Sequence, residues 1–270
     1  MPNINFLTFG AKAIDYKGLR KLNVIAAVAY SLEAILILLL RDSQRGTEMI
    51  NSSFLGQDRI ASQAAGQPVY AQATHHLFDL NLAYVVAAFL FMGTITNILI
   101  ATRYRKAYED SLGKRANRAR WIEYGLVAGI MMISIALLIG VFELSLLLLI
   151  FSGTLLMALL GFVTEARARP TNKINWFSYW IALASGVLPW VVVLIYLWSS
   201  YVYGNGVPTF VYWVIVSLLA LFACLAINRG FQHKKLGRWE NFLFGERTYI
   251  ILMFIAQTAL AWQIFFGILH

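Results

Sequence analysis

Residues 248–269 read TYIILMFIAQTALAWQIFFGIL, a stretch without a charged residue. A helix of about 20 apolar residues spans the ~30 Å hydrocarbon core of a bilayer. Six other stretches that are free of lysine and arginine precede it, at 22–40, 77–101, 121–142, 144–164, 174–204 and 207–228. Runs such as 146–150 and 191–197 are apolar throughout, which excludes the alternating pattern of barrel strands. We therefore predict seven transmembrane helices.

The composition is that of an integral membrane protein. Hydrophobic residues make up 60% of the 270 residues and charged residues 13%, against about 25% charged residues in soluble domains. No internal repeat or low-complexity linker interrupts the chain, so we predict an all-α membrane protein with one bundle domain over residues 1–270. The single cysteine, Cys224, excludes an intramolecular disulfide. We expect it in the core of the sixth helix.

The net charge of +9 is concentrated on one side of the predicted bundle. Nineteen of the 22 basic residues precede the first stretch or follow the second, fourth and sixth, and the other three are Arg41, Arg45 and Arg59. Basic loops stay in the cytoplasm. We therefore expect a multi-pass protein of the cell membrane with a cytoplasmic N-terminus and an extracellular C-terminus. Because topology accounts for most of this charge, we expect no nucleic-acid partner.

The outer loop between the first and second helices, residues 42–74, is the longest connection and contains Gly46, Gly56, Gly66 and Pro68. It is long enough to be structured. Short segments such as Val69-Tyr70-Ala71 are expected to pair as strands over the outer mouth of the bundle, and a disordered polar loop is the alternative.

Motifs of soluble enzymes are missing from the sequence. It has no phosphate-binding glycine loop, no GxSxG elbow and no His or Cys spacing for a catalytic metal. His75 and His76 are adjacent and point to different sides of a helix start, which favours interfacial hydrogen bonds over a shared metal. We therefore expect neither an enzyme nor a metal site.

Acidic residues inside a membrane usually mark function, and three lie within the predicted helices: Glu33, Asp79 and Glu123. Asp79 is near enough to the outer headgroups to reach them. Glu33 can pair with polar groups of a neighbouring helix. Glu123 belongs to Arg120-Trp121-Ile122-Glu123-Tyr124, ahead of a long uncharged run. The alternative for Glu123 is a cytoplasmic surface pair with Arg120 at i, i+3.

The same segment and three others resemble the heliorhodopsins, seven-helix relatives of microbial rhodopsins that lie inverted in the membrane. Residues 120–124 look like the family's RWxEY signature, and Trp180 with Pro189-Trp190 looks like its fifth-helix pattern. Residues 245–249 (GERTY) and 260–265 (LAWQIF) look like the two ends of its seventh helix. The resemblance covers essentially the whole chain. It implies a rhodopsin-like bundle and a homodimer in which the outer loop contributes contacts.

In that family a lysine of the seventh helix, within a segment resembling LSLxAKSxLAW, holds retinal as a protonated Schiff base. The matching residues 252–262 read LMFIAQTALAW, so Gln257 occupies the lysine position. A Schiff base requires a nucleophilic amine, and the nitrogen of a carboxamide is delocalised into its carbonyl. All eight lysines lie on the expected cytoplasmic side, at 12, 17, 21, 106, 114, 173, 234 and 235. We therefore expect no covalently bound retinal.

At other positions, too, the residues differ from those of the family. Gly125, Val127 and Gly129 replace serines, Met253 replaces a serine one turn before the lysine position, and Tyr30 and Asn97 replace histidines. Without an ammonium partner, we expect Glu123 to be largely protonated at neutral pH. We also expect it to bond Gln257 or a water, as a neutral link between the third and seventh helices. By resemblance, the ligand pocket contains Tyr30, Asn97, Glu123, Tyr124, Trp180, Pro189, Trp190, Met253, Gln257, Thr258 and Trp262.

Two classes of function follow from this sequence. The first is a light-independent receptor or signalling scaffold that acts through its basic cytoplasmic face or through an apolar ligand in the former pocket. A variant of this class is a photoreceptor that holds retinal non-covalently, with Trp180, Trp190 and Trp262 as walls. The second class is a transporter or channel, which is disfavoured because three acids scattered over three helices form no continuous relay. The basic loops also suit an anionic lipid or a soluble protein as partner.

Overall fold

The computed structural model describes residues 16–171 and 175–270. Lys12 and Lys173 lie outside the described residues, as do the side chains of Arg167 and Arg169. The elements in chain order are α1 (Tyr16–Leu40), β1 (Thr47–Gln57), α2 (Arg59–Ala65), β2 (Tyr70–Asn81), α3 (Leu82–Ala101), α4 (Arg105–Gly113), α5 (Arg118–Leu138), α6 (Leu144–Thr171), α7 (Trp176–Tyr203), α8 (Thr209–Lys234) and α9 (Phe242–Ile264). A 3-10 turn, Gly237–Glu240, precedes α9, and a π-helical turn, Phe265–Leu269, follows it.

The seven predicted transmembrane helices are confirmed. Seven helices of the described chain are long and apolar enough to cross a membrane: α1, α3, α5, α6, α7, α8 and the continuous helix formed by α9 and its π-helical turn. Asparagine side chains accept hydrogen bonds from the first backbone amides of four of these helices, which satisfies donors that a helix start leaves free. These caps are Asn81, Asn117, Asn175 and Asn241.

The helices form a rhodopsin-like seven-helix bundle. Neighbouring helices pack in the order α1, α3, α5, α6 and α7, and α9 closes the bundle between α8 and α1. We call the end where α1, α5, α7 and α9 begin the basic end, and the opposite end the hairpin end. The backbones of α7 and α8 lie farther apart than those of the other neighbouring helices. Long side chains such as Trp190 and Phe222 bridge the gap between them.

The outer loop is a structured hairpin. Strands β1 and β2 pair in antiparallel register from Thr47 opposite Asn81 to Gln57 opposite Tyr70. The predicted strand at residues 69–71 is therefore confirmed from Tyr70 onward and extends to Asn81. A two-stranded hairpin is marginally stable alone, but the bundle holds this one. The Asn51 amide donates to the Phe142 carbonyl at 2.9 Å.

A side-chain contact adds to this anchor. The Ser53 hydroxyl donates to the Glu143 carboxylate at 2.7 Å. This hydrogen bond holds the pKa of Glu143 below its usual value. A carboxyl with a lowered pKa in the folded state stabilises that state at neutral pH, and the contribution disappears as the pH falls through the lowered value.

The predicted start of the second helix at residue 77 is wrong. Residues up to Asn81 belong to β2, so Asp79 lies in a strand and pairs with His76, with 2.9 Å between Oδ1 and Nε2. His75 and His76 are likewise strand residues rather than the start of a helix. The described residues contain no cluster of three or more His, Cys, Asp or Glu side chains suited to a metal.

Two further expectations need correction at α5 and α8. Helix α5 ends at Leu138 instead of residue 142, because the chain turns at Gly140 with a φ of +88°. Such a left-handed conformation favours glycine. Cys224, expected in the core, is exposed on the surface of α8.

Glycines allow α5 to approach α6 closely. A methyl group on Gly129 would lie 2.6 Å from the Phe151 ring, and one on Gly125 would lie 2.8 Å from Leu155. Small residues four apart permit such close helix packing in membranes. Gly125 and Gly129 therefore form a packing surface against α6.

We predict that Gly129→Ala destabilises the bundle by about 1–3 kcal/mol, because the added methyl group overpacks the contact with Phe151. Thermal unfolding of the purified protein in detergent measures the effect. Gly113→Ala is the control, since its methyl group would meet only the Tyr16 hydroxyl at 3.6 Å. Equal unfolding temperatures of the two variants would contradict the packing argument.

Candidate functional site

Gln257 lies at the centre of the bundle and is fully buried. Its Nε2 donates to the Tyr30 hydroxyl at 2.8 Å, which links α9 to α1. Its Oε1 has no hydrogen-bond partner among the described residues. This oxygen faces Gly93 of α3 so closely that a methyl group there would lie 2.6 Å away. The carboxamide is therefore packed tightly between three helices.

Glu123 is held by a different partner from the one expected. Its Oε1 accepts a 2.8 Å hydrogen bond from Asn97, and Asn97 also donates to the Gly93 carbonyl at 2.8 Å. The side chain is 5% exposed and forms no ion pair within the described part of the chain. The expected hydrogen bond between Glu123 and Gln257 is not formed. Instead, the hydrogen bond between Asn97 and Glu123 joins α3 to α5, and the one between Gln257 and Tyr30 joins α9 to α1.

Glu33 forms a second polar contact between α1 and α9. Thr258 Oγ1 lies 3.0 Å and 3.1 Å from the two carboxylate oxygens of Glu33. The expectation that Glu33 pairs with a polar group of a neighbouring helix is confirmed. One turn further along α9, Trp262 packs against Phe265 and Phe266, with ring centroids 5.5 Å and 5.7 Å apart.

Four charged residues form a buried ionic cluster toward the basic end: Arg120, Glu165, Arg229 and Glu246. Arg120 lies between Glu246, which it contacts through Nη1, and Glu165, at 2.7 Å from Nη2. Arg229 binds the same Glu165 oxygen at 2.5 Å. The cluster therefore connects α5, α6, α8 and α9, and the alternative for Glu123, a surface pair with Arg120, is wrong.

Neutral donors complete the ionic cluster. The Asn117 side chain donates to Glu246 at 2.6 Å, and the Trp121 indole donates to Glu165 at 2.8 Å. Gln232 donates to Glu246 at 3.0 Å. Buried charges are tolerated when they are paired and hydrogen-bonded in this way. The two arginine Nε atoms are the cluster's groups without a partner among the described residues.

An apolar cavity of about 240 Å³ lies between α5, α6, α7, α8 and α9. Aromatic rings form its walls: Phe222 lies 5.5 Å from Trp190 and 6.2 Å from Tyr124, measured between ring centroids. Arg120 and Arg229 of the ionic cluster also line the cavity. The cavity therefore combines apolar walls with charged groups at one end.

The residues that the resemblance assigns to one pocket lie in several separate places. Tyr124 and Trp190 line the cavity. Tyr30, Asn97, Glu123 and Gln257 meet around Gly93, and none of them lines the cavity. The others are placed separately: Met253 and Pro189 are buried in their helices, Thr258 and Trp262 lie near Glu33, and Trp180 is 60% exposed. Trp180 thus faces away from the rest.

A family model described as heliorhodopsin matches residues 19–269. No curated protein matches the chain by sequence. Among solved structures, the Exiguobacterium sibiricum rhodopsin is similar with a TM-score of 0.59 and 12% identity, over 93% of this chain and 95% of that one.

Two further structures are similar to the chain. The transmembrane domain of the Salpingoeca rosetta rhodopsin phosphodiesterase has a TM-score of 0.57 and 12% identity, over 92% of this chain and 83% of that one. A cyanorhodopsin of the cyanobacterium Tolypothrix has a TM-score of 0.53 and 13% identity, over 94% of each chain. At these identities the solved structures show the fold alone.

We predict that Glu165→Gln destabilises the protein by about 3 kcal/mol or more, because it leaves two buried arginines without their shared carboxylate. Glu123→Gln is the matched control, since it is also a buried isosteric change but breaks no ion pair. It is expected to cost about 1 kcal/mol or less. Thermal unfolding in detergent compares the variants, and equal losses would show that the ionic cluster contributes no more than a neutral hydrogen bond.

Proposed function

The chain belongs to the heliorhodopsin family, and from this we propose that it is a heliorhodopsin without covalently bound retinal that acts as a light-independent receptor or signalling scaffold. The observation that carries the proposal is Gln257, at the position where the family places its lysine. Its side chain is fully buried and donates to Tyr30. It therefore belongs to the core packing of the bundle.

The chemistry around Gln257 does not fit a covalent retinal. An amine with a free lone pair is needed to attack the aldehyde, and a carboxamide has none. Gly93 and Tyr30 also pack directly against the Gln257 side chain. No cationic side chain is paired with Glu123 in the described part of the chain, so the ion pair of a protonated Schiff base and its counterion has no equivalent here.

The described lysines offer no substitute for the missing amine. They lie at the basic end, in the first turns of α1, in and after α4, and at the end of α8: Lys17, Lys21, Lys106, Lys114, Lys234 and Lys235. Lys234 at the end of α8 contacts the face of Trp176, 5.5 Å from the ring centroid. This placement supports a bundle interior without an amine.

The apolar cavity supports the receptor part of the proposal. Its volume of about 240 Å³ is below the ~300 Å³ at which pockets for drug-sized ligands usually begin. The expected ligand is therefore a small apolar molecule with a polar or anionic end that reaches Arg120 and Arg229. Val187 and Leu219 line the cavity and are 49% and 40% exposed, so a ligand would enter from the bilayer between α7 and α8.

Retinal held without a covalent bond is the alternative function. The aromatic walls formed by Tyr124, Trp190 and Phe222 favour it, since such walls suit a polyene. In that case retinal would quench tryptophan fluorescence, borohydride reduction would leave no stoichiometric retinyl adduct on the protein, and Trp190→Phe would reduce the quenching.

We also propose a cytoplasmic basic end, since basic residues of membrane proteins are retained there. The N-terminus would then lie inside the cell and the C-terminus outside. Exposed apolar residues of the hairpin, Met49, Phe54 and Leu55, support a homodimer that uses this surface. In this proposal the chain forms one domain and catalyses no reaction, and its output passes through the basic loops to a cytoplasmic protein.

We predict that the purified protein, incubated with all-trans retinal, develops no hydroxylamine-sensitive absorption band in the visible range, because Gln257 cannot form a Schiff base. Absorption spectra before and after hydroxylamine addition measure this. A bleachable band in the unmodified protein would refute the proposed function.

Gln257→Lys is the matched variant, since it supplies the amine at the family position. A band in this variant alone would attribute the missing chromophore to residue 257. A band in neither protein would show that the packing of Tyr30 and Gly93 also closes the path to this position.

A further inference from the structure

A second concave surface lies on the outside of the bundle at its basic end. It is a groove of about 520 Å³ between the end of α3 and the start of α5, and α4 covers one side of it. The groove faces the region where lipid would surround the bundle, because α3 and α5 are spanning helices. It has no residue in common with the cavity beside Trp190.

The groove is apolar toward the membrane interior. Leu99 and Ile100 line it from α3, and Ala119 and Ile122 line it from α5. Ile122 is 61% exposed and Leu99 is 38% exposed. Exposed aliphatic side chains at this depth offer a contact for a hydrocarbon chain.

The rim of the groove is cationic. Lys114 and Arg118 line it where the bundle meets the interface, and both are exposed. Neither forms an ion pair within the described residues. Asp110 is an acidic residue of the same rim, so two positive charges face one negative charge.

The surrounding segment adds to the positive potential. Residues 102–118 contain six basic and two acidic residues. Glu109 is already paired with Arg105 at 2.8 Å. Helix α4 buries Tyr108 and Leu112 and leaves its cationic side chains at the surface, as an interfacial helix does.

We propose that this groove binds an anionic phospholipid. Its phosphate contacts Lys114 and Arg118, and the first part of one acyl chain lies against Leu99 and Ile122. From Arg118 to Ile122 the helix rises about 6 Å, so the cationic and apolar parts are spaced for a headgroup and the start of its chain. Basic pockets between transmembrane helices bind such headgroups. This inference is independent of the fate of retinal.

Native mass spectrometry of the delipidated full chain tests the proposal, with phosphatidylglycerol and phosphatidylcholine of identical acyl chains. The wild-type protein is expected to prefer phosphatidylglycerol. Removing both cations in Lys114→Gln/Arg118→Gln is expected to weaken its binding about 25-fold, since each cation near an anionic surface contributes roughly a factor of five. Ile122→Trp, which fills the apolar part without changing charge, is expected to weaken binding as well.

The control is Arg103→Gln/Lys106→Gln, which removes two exposed cations of the same loop that do not line the groove. It is expected to bind phosphatidylglycerol like the wild type. Equal loss in the control, unchanged binding in Lys114→Gln/Arg118→Gln, or equal binding of both lipids would overturn the proposal. Displacement of the lipid by millimolar inorganic phosphate would also overturn it, because the site would then be one for a free anion.

Discussion

Every polar group inside this bundle must be satisfied by the protein, because the hydrocarbon core of a bilayer offers no hydrogen bonds. The structure meets this constraint for most groups in two ways, while Gln257 Oε1, Asn23 Nδ2 and the Nε atoms of Arg120 and Arg229 have no partner among the described residues. Toward the basic end, Arg120 and Arg229 share the carboxylate of Glu165, and Glu246 completes the ionic cluster. At mid-bundle, neutral amides take this role: Asn97 bonds Glu123, and Gln257 bonds Tyr30. The charged cluster holds four helices together, while the neutral contacts join the helices around Gly93.

In our proposal, this division allows a heliorhodopsin bundle to fold with a glutamine at the position of the family's lysine. A buried amine would need a counterion, and a neutral carboxamide needs only hydrogen-bond partners, one of which Tyr30 supplies. Tyr30 accepts and Asn97 donates one of these mid-bundle hydrogen bonds. The cavity beside Trp190 lies apart from Gln257. A ligand could therefore occupy it without any contact with residue 257.

The seven helices could be predicted from sequence because lysine and arginine are absent from the apolar stretches and lie in four of the six connections between them. The ionic cluster could not, because its members fall just outside those stretches: Arg120 precedes residue 121, Glu165 follows 164, Arg229 follows 228, and Glu246 precedes 248. The ends of the apolar stretches place these four charged residues in loops, although the helices extend past them. The end of strand β2, residues 77–81, is predicted as helix for a related reason, since Leu77, Phe78 and Leu80 prolong the apolar run of α3. Charge counting therefore predicts the topology and leaves the exact helix ends to packing.

The central claim is that no buried side chain in the described part of this protein carries an amine that can hold retinal as a Schiff base. Borohydride reduction traps a Schiff base as a stable amine, so it detects a bond that absorption spectra could miss. The measurement is the intact mass of the protein after incubation with retinal and reduction. The account predicts at most the substoichiometric adducts that exposed lysines form with any aldehyde, and a stoichiometric retinyl adduct on a single lysine would contradict it.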